Sequence, residues 1–237
     1  MIYSARWPGH SFSPAQAIKR VSSAVTQLRN GDPIVLVDSL SPQQEGDLVF
    51  AAELATAKLV AFAVQHTSGF VCVALPTQRC EQLRLPPMYA HSDNDSWHGA
   101  CRVTVDAVSC LTTGISAADR AITIRSLADV SLSHTAFTRP GHVVPIQANS
   151  TDRLIEGGIP EAVMRMVELA GLNQAAGFAR IVSTIAPTRM ATKAELFVFA
   201  RRHRLACVTT AELAYREFNG GADHCFPPPT QSLAINL

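Results

Sequence analysis

Ile18, Val21, Val25 and Leu28 recur at the three-to-four-residue spacing of one helix face, bounded by Ser13-Pro14 and Gly31. Ser13 suits a helix cap and Pro14 the first turn, where a missing N–H leaves nothing unsatisfied; Gly31 supplies the stop. Ile34-Val35-Leu36-Val37 is a short apolar run that predicts a buried strand running into the polar segment Gln43–Asp47. The pattern then predicts a helix from about Leu48 to Val64 and a strand over Phe70–Leu75. Pro86 to Gly99 is polar and rich in breakers, and reads as an exposed loop. Arg102–Asp106 alternates as a strand does. Ser116 to Ala128 reads as a helix, with Ser116 and Asp119 at capping-box spacing. Further helices are predicted from Pro160 to just before Gly171, and from Thr192, with Glu195 as its capping partner, through His203. Phe178–Ser183 and Leu205–Val208 are the remaining strand candidates. We expect a single domain over residues 1–217 and a flexible Pro-rich tail over 218–237, where Pro227-Pro228-Pro229 excludes regular structure.

Strands and helices that interleave in this way imply a layered α/β architecture around a mixed sheet. A chain of 237 residues that is 47% hydrophobic can bury one substantial core. The formal charge is +1 and no basic run interrupts the sequence, which argues against a nucleic-acid partner. Met1 to Pro8 carries no apolar signal core, and no apolar run reaches membrane-spanning length, so no membrane association is expected. The six cysteines form no Cys-x-x-Cys pair. That spacing fits reduced thiols and a cytoplasmic location better than a disulfide frame.

Six segments carry a more specific signal. They are Gln43 to Glu53, His66-Thr67-Ser68-Gly69-Phe70-Val71-Cys72, Thr112 to Arg120, Arg139-Pro140-Gly141-His142-Val143-Val144-Pro145, Glu161-Ala162 and Leu169-Ala170-Gly171-Leu172. In this order the chain resembles the 3,4-dihydroxy-2-butanone 4-phosphate synthase family of riboflavin biosynthesis, over roughly Ala15 to Glu217. The resemblance implies a three-layer α/β sandwich and a homodimer with active sites at the subunit interface. It also implies a small-molecule substrate, which in the family is ribulose 5-phosphate, used with magnesium.

The family loop Asp-Arg-Glu-Asn-Glu-Gly-Asp aligns with Ser41-Pro42-Gln43-Gln44-Glu45-Gly46-Asp47. Glu45 and Asp47, which in the family contact the sugar, are kept, while Pro42 replaces the Arg and Gln43 the metal-binding Glu. The family motif Arg-x-Gly-His-Thr aligns with Glu156-Gly157-Gly158-Ile159-Pro160. Ile159 then stands where the second metal ligand would, and Glu156 and Pro160 where phosphate is gripped. A carboxylate about 4 Å from a phosphate costs on the order of 4 kcal/mol per unit charge pair at an effective dielectric near 20. A Glu used for proton transfer aligns with Ile181.

His142 aligns with the catalytic His and suits general acid or base chemistry, against the alternative of a hydrogen-bonded loop histidine. With Glu45 and Asp47 it makes up the expected catalytic set. His66, Ser68, Cys72, Thr112, Thr113, Ser116 and Asp119 are candidate substrate contacts. For Ser116 and Asp119 capping alone is a sufficient account, for Cys72 a buried thiol, and for His66 a favourable place at a helix C-terminus. His91, Asp93, Asp95 and His98 crowd one polar loop, where a solvated loop is weighed against an unrelated metal site; Trp97 is weighed as a lid against ordinary packing.

The replaced positions lead to an expectation of a repurposed, metal-independent enzyme that uses no cofactor. It would carry out acid–base isomerisation, dehydration or rearrangement/cyclisation, as a lyase or isomerase, on a non-phosphorylated small molecule in specialised-metabolite (natural-product) biosynthesis. The alternative is a catalytically silent binding or partner protein, and a third reading is retained synthase activity on ribulose 5-phosphate.

Overall fold

The computed structural model describes residues 13–39, 42–88, 100–149 and 158–219, the side chains of Phe218 and Asn219 excepted. Among the described residues seven α-helices are defined: α1 (Pro14–Arg29), α2 (Ala57–His66), α3 (Thr77–Gln82), α4 (Ala117–Ala128), α5 (Ile159–Leu169), α6 (Lys193–Arg202) and α7 (Thr210–Asn219). Seven strands lie among the same residues: β1 (Ile34–Val37), β2 (Gly46–Ala51), β3 (Cys72–Pro76), β4 (Val105–Ala107), β5 (Phe137–Ala148), β6 (Ala176–Arg180) and β7 (Cys207–Thr209).

The strands form one sheet in the order β4-β5-β3-β6-β2-β1-β7. β1/β7 and β3/β5 are parallel and the other pairs antiparallel, so the sheet is mixed as expected. Side chains of a strand alternate between faces, and here the alternation sorts them into two cores. Leu48, Phe50, Val35 and Val37 join Leu59, Val60, Ile124, Leu127, Leu196 and Phe199 on the face covered by α2, α4 and α6. Val49, Ala51, Ile34 and Leu36 join Val21, Val25, Leu28, Val163, Met166 and Leu213 on the face covered by α1, α5 and α7. The result is the three-layer sandwich.

The helix expected from Leu48 is instead strand β2, followed by a 3-10 turn at Ala52–Leu54, and α2 begins only at Ala57. β2 lies between β1 and β6 and is buried on both faces. Such a run shows no alternation, and periodicity alone cannot tell it from a buried helix. β5 was not predicted because Pro140 and Pro145 fall inside it. Pro145 still serves the sheet edge through its carbonyl, which accepts the Arg102 N–H at 2.9 Å. The strand expected at Arg102–Asp106 is the shorter β4, which starts at Val105. Residues 40–41, 89–99, 150–157 and 220–237, with Glu156, Trp97, the His91–His98 cluster and most of the Pro-rich tail, lie outside the described residues.

Candidate functional site

Asp47 and Arg180 are directly opposed on the antiparallel pair β2/β6. Arg180 Nε donates to Asp47 Oδ1 at 3.1 Å, and Nη1 donates to Glu45 Oε2. One guanidinium therefore bridges both retained acids of the loop. Asp47 is buried, and its Oδ2 has no hydrogen-bond partner. Burial pushes the Asp47 carboxyl above the usual carboxylate range, against the pull of the Arg180 charge. Cys72 sits on the same core face; burial, with the Asp47 charge adding to it, drives its thiol far up, so it is a protonated thiol and not a nucleophile.

A second centre lies at β4/β5. Asp106 Oδ1 accepts the His142 backbone N–H at 3.0 Å, and Asp106 Oδ2 lies 2.7 Å from His142 Nδ1. The arrangement fixes the imidazole and leaves Nε2 on the exposed side. Close packing surrounds this pair. A Cβ on Gly114 would lie 2.1 Å from Asp106 Oδ2, and one on Gly141 would lie 2.0 Å from the Val105 carbonyl carbon. Gly141 is therefore required by its approach to backbone, and Gly114 by its φ of +93° together with the Asp106 carboxylate.

The turn after α2 links the two centres. Ser68 N–H donates to the Arg180 carbonyl at 2.8 Å, and the next residue's carbonyl, on Gly69, accepts from Arg120 Nη1 at 3.3 Å. Arg120 is buried with its Nε unpartnered; burial lowers its pKa, and the Asp106 carboxylate works against that. Val144 of β5 pairs with Cys72, and His142 lies two residues before it, in the 139–142 stretch that β4 leaves unpaired. Cys72, Arg180 and Asp47 lie on one face of β3, β6 and β2, by alternation with Phe178 and Val49.

The other expected contacts are placed differently. Asp119 is enclosed and accepts from the Leu111, Thr112 and Gly114 N–H groups and from the Thr112 hydroxyl. The hydrogen bond from Thr112 leads in holding its carboxyl down to about 2. Ser116 caps α4 by accepting the Asp119 N–H at 3.0 Å, so these three residues build the 111–116 loop, from which Thr113 projects exposed. His66 stacks with Phe62, His203 and Phe199, with ring centroids 4.5, 4.9 and 5.6 Å away. It lines a cavity of about 310 Å³ with Ile181 on the α6 side of the sheet, and burial followed by the His203 charge lowers its pKa. Pro42 and Gln43 are exposed, whereas Ile159 and Pro160 open α5 buried. Sequence reasoning missed Asp106 and Arg180. The only signal was a charged residue in each strand candidate, and nothing in the chain says what it opposes.

The donor set bears on magnesium. Ile159 offers no donor atom, Gln43 offers an exposed amide, and Glu45 and Asp47 already share Arg180. Among the described residues no three His, Cys, Asp or Glu side chains are grouped to hold a metal. The described residues of one chain therefore do not fit a magnesium ion, which demands several oxygen ligands in octahedral array.

A family model described as 3,4-dihydroxy-2-butanone 4-phosphate synthase matches residues 22–215. The riboflavin biosynthesis protein RibBA of Nocardia farcinica is 45% identical over 194 residues, 81% of this chain and 46% of that protein. Its counterpart in Rhodococcus jostii is 46% identical over the same shares. The chain spans about half the length of the curated relatives it matches. Among solved structures, a 3,4-dihydroxy-2-butanone 4-phosphate synthase in complex with two magnesium ions aligns with TM-score 0.76 and 34% identity, over 85% of this chain and 98% of that one. The Candida albicans synthase aligns with TM-score 0.74 and 33% identity, over 86% and 97%.

These similarities overturn the expectation of a repurposed enzyme. Relatives this similar over most of the chain are riboflavin biosynthesis proteins, and a structural neighbour is a synthase solved with magnesium. The metal-independent, natural-product and isomerase readings fall with it. The replaced side chains were counted without weighing how much of the rest of the chain remains that of a synthase.

Proposed function

The chain belongs to the 3,4-dihydroxy-2-butanone 4-phosphate synthase family, and on that basis we propose that it serves riboflavin biosynthesis as a synthase, acting on ribulose 5-phosphate. The observation that carries the reading is the His142–Asp106 pair, in which the carboxylate holds both the backbone N–H and the ring of His142. Proton transfer along a sugar carbon chain needs a group that gives and takes a proton near neutral pH, and an oriented imidazole does this. Asp106 holds the Nδ1 side, so exchange with substrate takes place at Nε2. Glu45, about a third of its side chain exposed, is the loop carboxylate open to a substrate hydroxyl, and Arg180 holds it in place.

Magnesium is the family's ion, and no step here is routed through it. We further propose a homodimer. Phe70, Leu111 and Ile115 are 54%, 79% and 58% exposed beside the His142 end of the sheet, an apolar border suited to a second copy. A cytoplasmic site of action suits the five described cysteines, all free thiols.

The test is direct. Purified protein is incubated with ribulose 5-phosphate, with and without magnesium, and the products are followed by phosphorus and carbon NMR. Formation of 3,4-dihydroxy-2-butanone 4-phosphate, suppressed by His142→Ala, is the expected result. No product at enzyme concentrations equal to substrate overturns the proposal.

A further inference from the structure

We propose that Arg180 is the resident cation of the acidic loop, holding the carboxylates of Glu45 and Asp47 so that neither is free to join a divalent ion. The inference grows from the misfit between this chain's donor set and magnesium. It goes beyond the proposed reaction and stands whichever substrate is used.

The register of β2 against β6 sets Arg180 opposite Asp47, where an opposite charge across an antiparallel pair is favourable. From there the side chain reaches Asp47 through Nε and Glu45 through Nη1. The two carboxylates and the guanidinium together carry a net charge of −1 rather than −2. A divalent ion joining them would face a fixed positive charge within a few ångströms, in a place where Asp47 is cut off from water. Arginine has no means of yielding by deprotonation, as a lysine or histidine has. Asp47 Oδ2 is buried without a partner, and one buried oxygen is too few for an ion that keeps near-octahedral geometry.

The neighbouring positions agree. Ile159 opens α5 inside the core cluster that also holds Cys72 and Phe178, so the side chain nearest in role to a ligand is packed hydrocarbon. Gln43 is exposed and uncharged. The charge that balances Glu45 and Asp47 is thus a backbone-anchored residue opposite Asp47.

The experiment uses manganous ion as a spectroscopic stand-in for magnesium, measured by water-proton relaxation on the full chain. Wild type, Arg180→Ala, Arg180→Lys, Glu45→Gln and the double variant Arg180→Ala/Glu45→Gln are compared. In the wild-type background Glu45→Gln is expected to leave manganese binding unchanged. Arg180→Ala is expected to bind the ion more tightly by about tenfold or more, with the gain lost in the double variant and absent in Arg180→Lys. If Arg180→Ala fails to fold, Arg180→Gln keeps the shape without the charge and takes its place. Either of two results overturns the proposal: manganese binding to the Arg180-containing protein that Glu45→Gln weakens about tenfold, or no gain when Arg180 loses its charge. Turnover of ribulose 5-phosphate is a separate readout, so failure of the synthase reading and failure of this one are told apart.

Discussion

Asp106 grips His142 at two points, accepting its backbone N–H at 3.0 Å with Oδ1 and facing its Nδ1 at 2.7 Å with Oδ2. The two contacts fix both where the ring starts and how it is turned, which a side-chain contact alone would not do. Gly141 makes this possible, since any side chain there would run into the Val105–Asp106 backbone.

Turnover should therefore depend on both partners to different degrees. His142→Gln is expected to lower kcat by about a hundredfold to ten-thousandfold, the usual worth of a general acid–base group. Asp106→Asn keeps the backbone hydrogen bond but no longer favours the tautomer, and is expected to lower kcat by at least about tenfold with little change in KM. Steady-state kinetics with circular dichroism as the folding control checks both. An Asp106→Asn protein with wild-type kcat would remove Asp106 from the mechanism.

Phe50 lies across from Gly177 on the β2/β6 pair, and a Cβ at Gly177 would fall 2.3 Å from its ring. The ring occupies the space a side chain would need. Gly177→Ala is expected to cost about 1–3 kcal/mol, because a fully buried aromatic cannot move aside without disturbing its neighbours. Urea unfolding measures it. Pairing Gly177→Ala with Phe50→Leu should cost less than the sum of the single changes, since the smaller side chain relieves the overlap.

These relationships mark where the sequence is readable. The apolar face of α1 shows in its spacing, although Ile18, at 38% exposed, sits at its edge. The Ser116/Asp119 and Thr192/Glu195 caps were visible because capping is local chemistry across three residues. Asp106 and Arg180 were not, because their partners lie 36 and 133 residues away and only strand register brings them together. Ile181 drew notice as a replaced position, while its neighbour Arg180 carried the charge that matters to the loop. A residue-by-residue comparison asks what has been lost at each position and is blind to a gain at the next one.

The α6 cap offers an acid-stability test with a defined sign. Glu195 accepts from the Thr192 N–H at 2.9 Å and hydroxyl at 2.7 Å, from Arg189 at 2.9 Å and from the Ser183 hydroxyl. These bonds, led by that from Ser183, lower its carboxyl to about 2. A folded-state value below the unfolded one means the stabilisation is complete above the ordinary carboxylate range and disappears as pH falls toward 2. Glu195→Gln is therefore expected to melt below wild type at neutral pH and to converge with it as the solution is acidified. Parallel melting curves at every pH would show that Glu195 contributes nothing through its charge.

Removing one partner of the Asp47–Arg180 pair should be worse than removing both. Arg180→Ala leaves the Asp47 carboxyl buried without its counter-charge, at a cost of roughly 3–5 kcal/mol for a fully buried pair and toward the low end here, since a quarter of the Arg180 side chain is exposed. The double variant Asp47→Leu/Arg180→Met replaces the pair with hydrocarbon and is expected to recover most of that loss. The pH dependence of the single variant has the opposite sign to that of Glu195. Burial already raises the Asp47 carboxyl, and losing the arginine raises it further. Its folded form then holds a proton more tightly than its unfolded form, so stability is gained as pH falls through that raised value and lost as pH rises. The melting-temperature gap between Arg180→Ala and wild type should therefore narrow as the pH is lowered from neutrality. A gap that stays constant would mean that Asp47 remains ionised without Arg180, and the pair would then be an ornament of the loop rather than its source of charge balance.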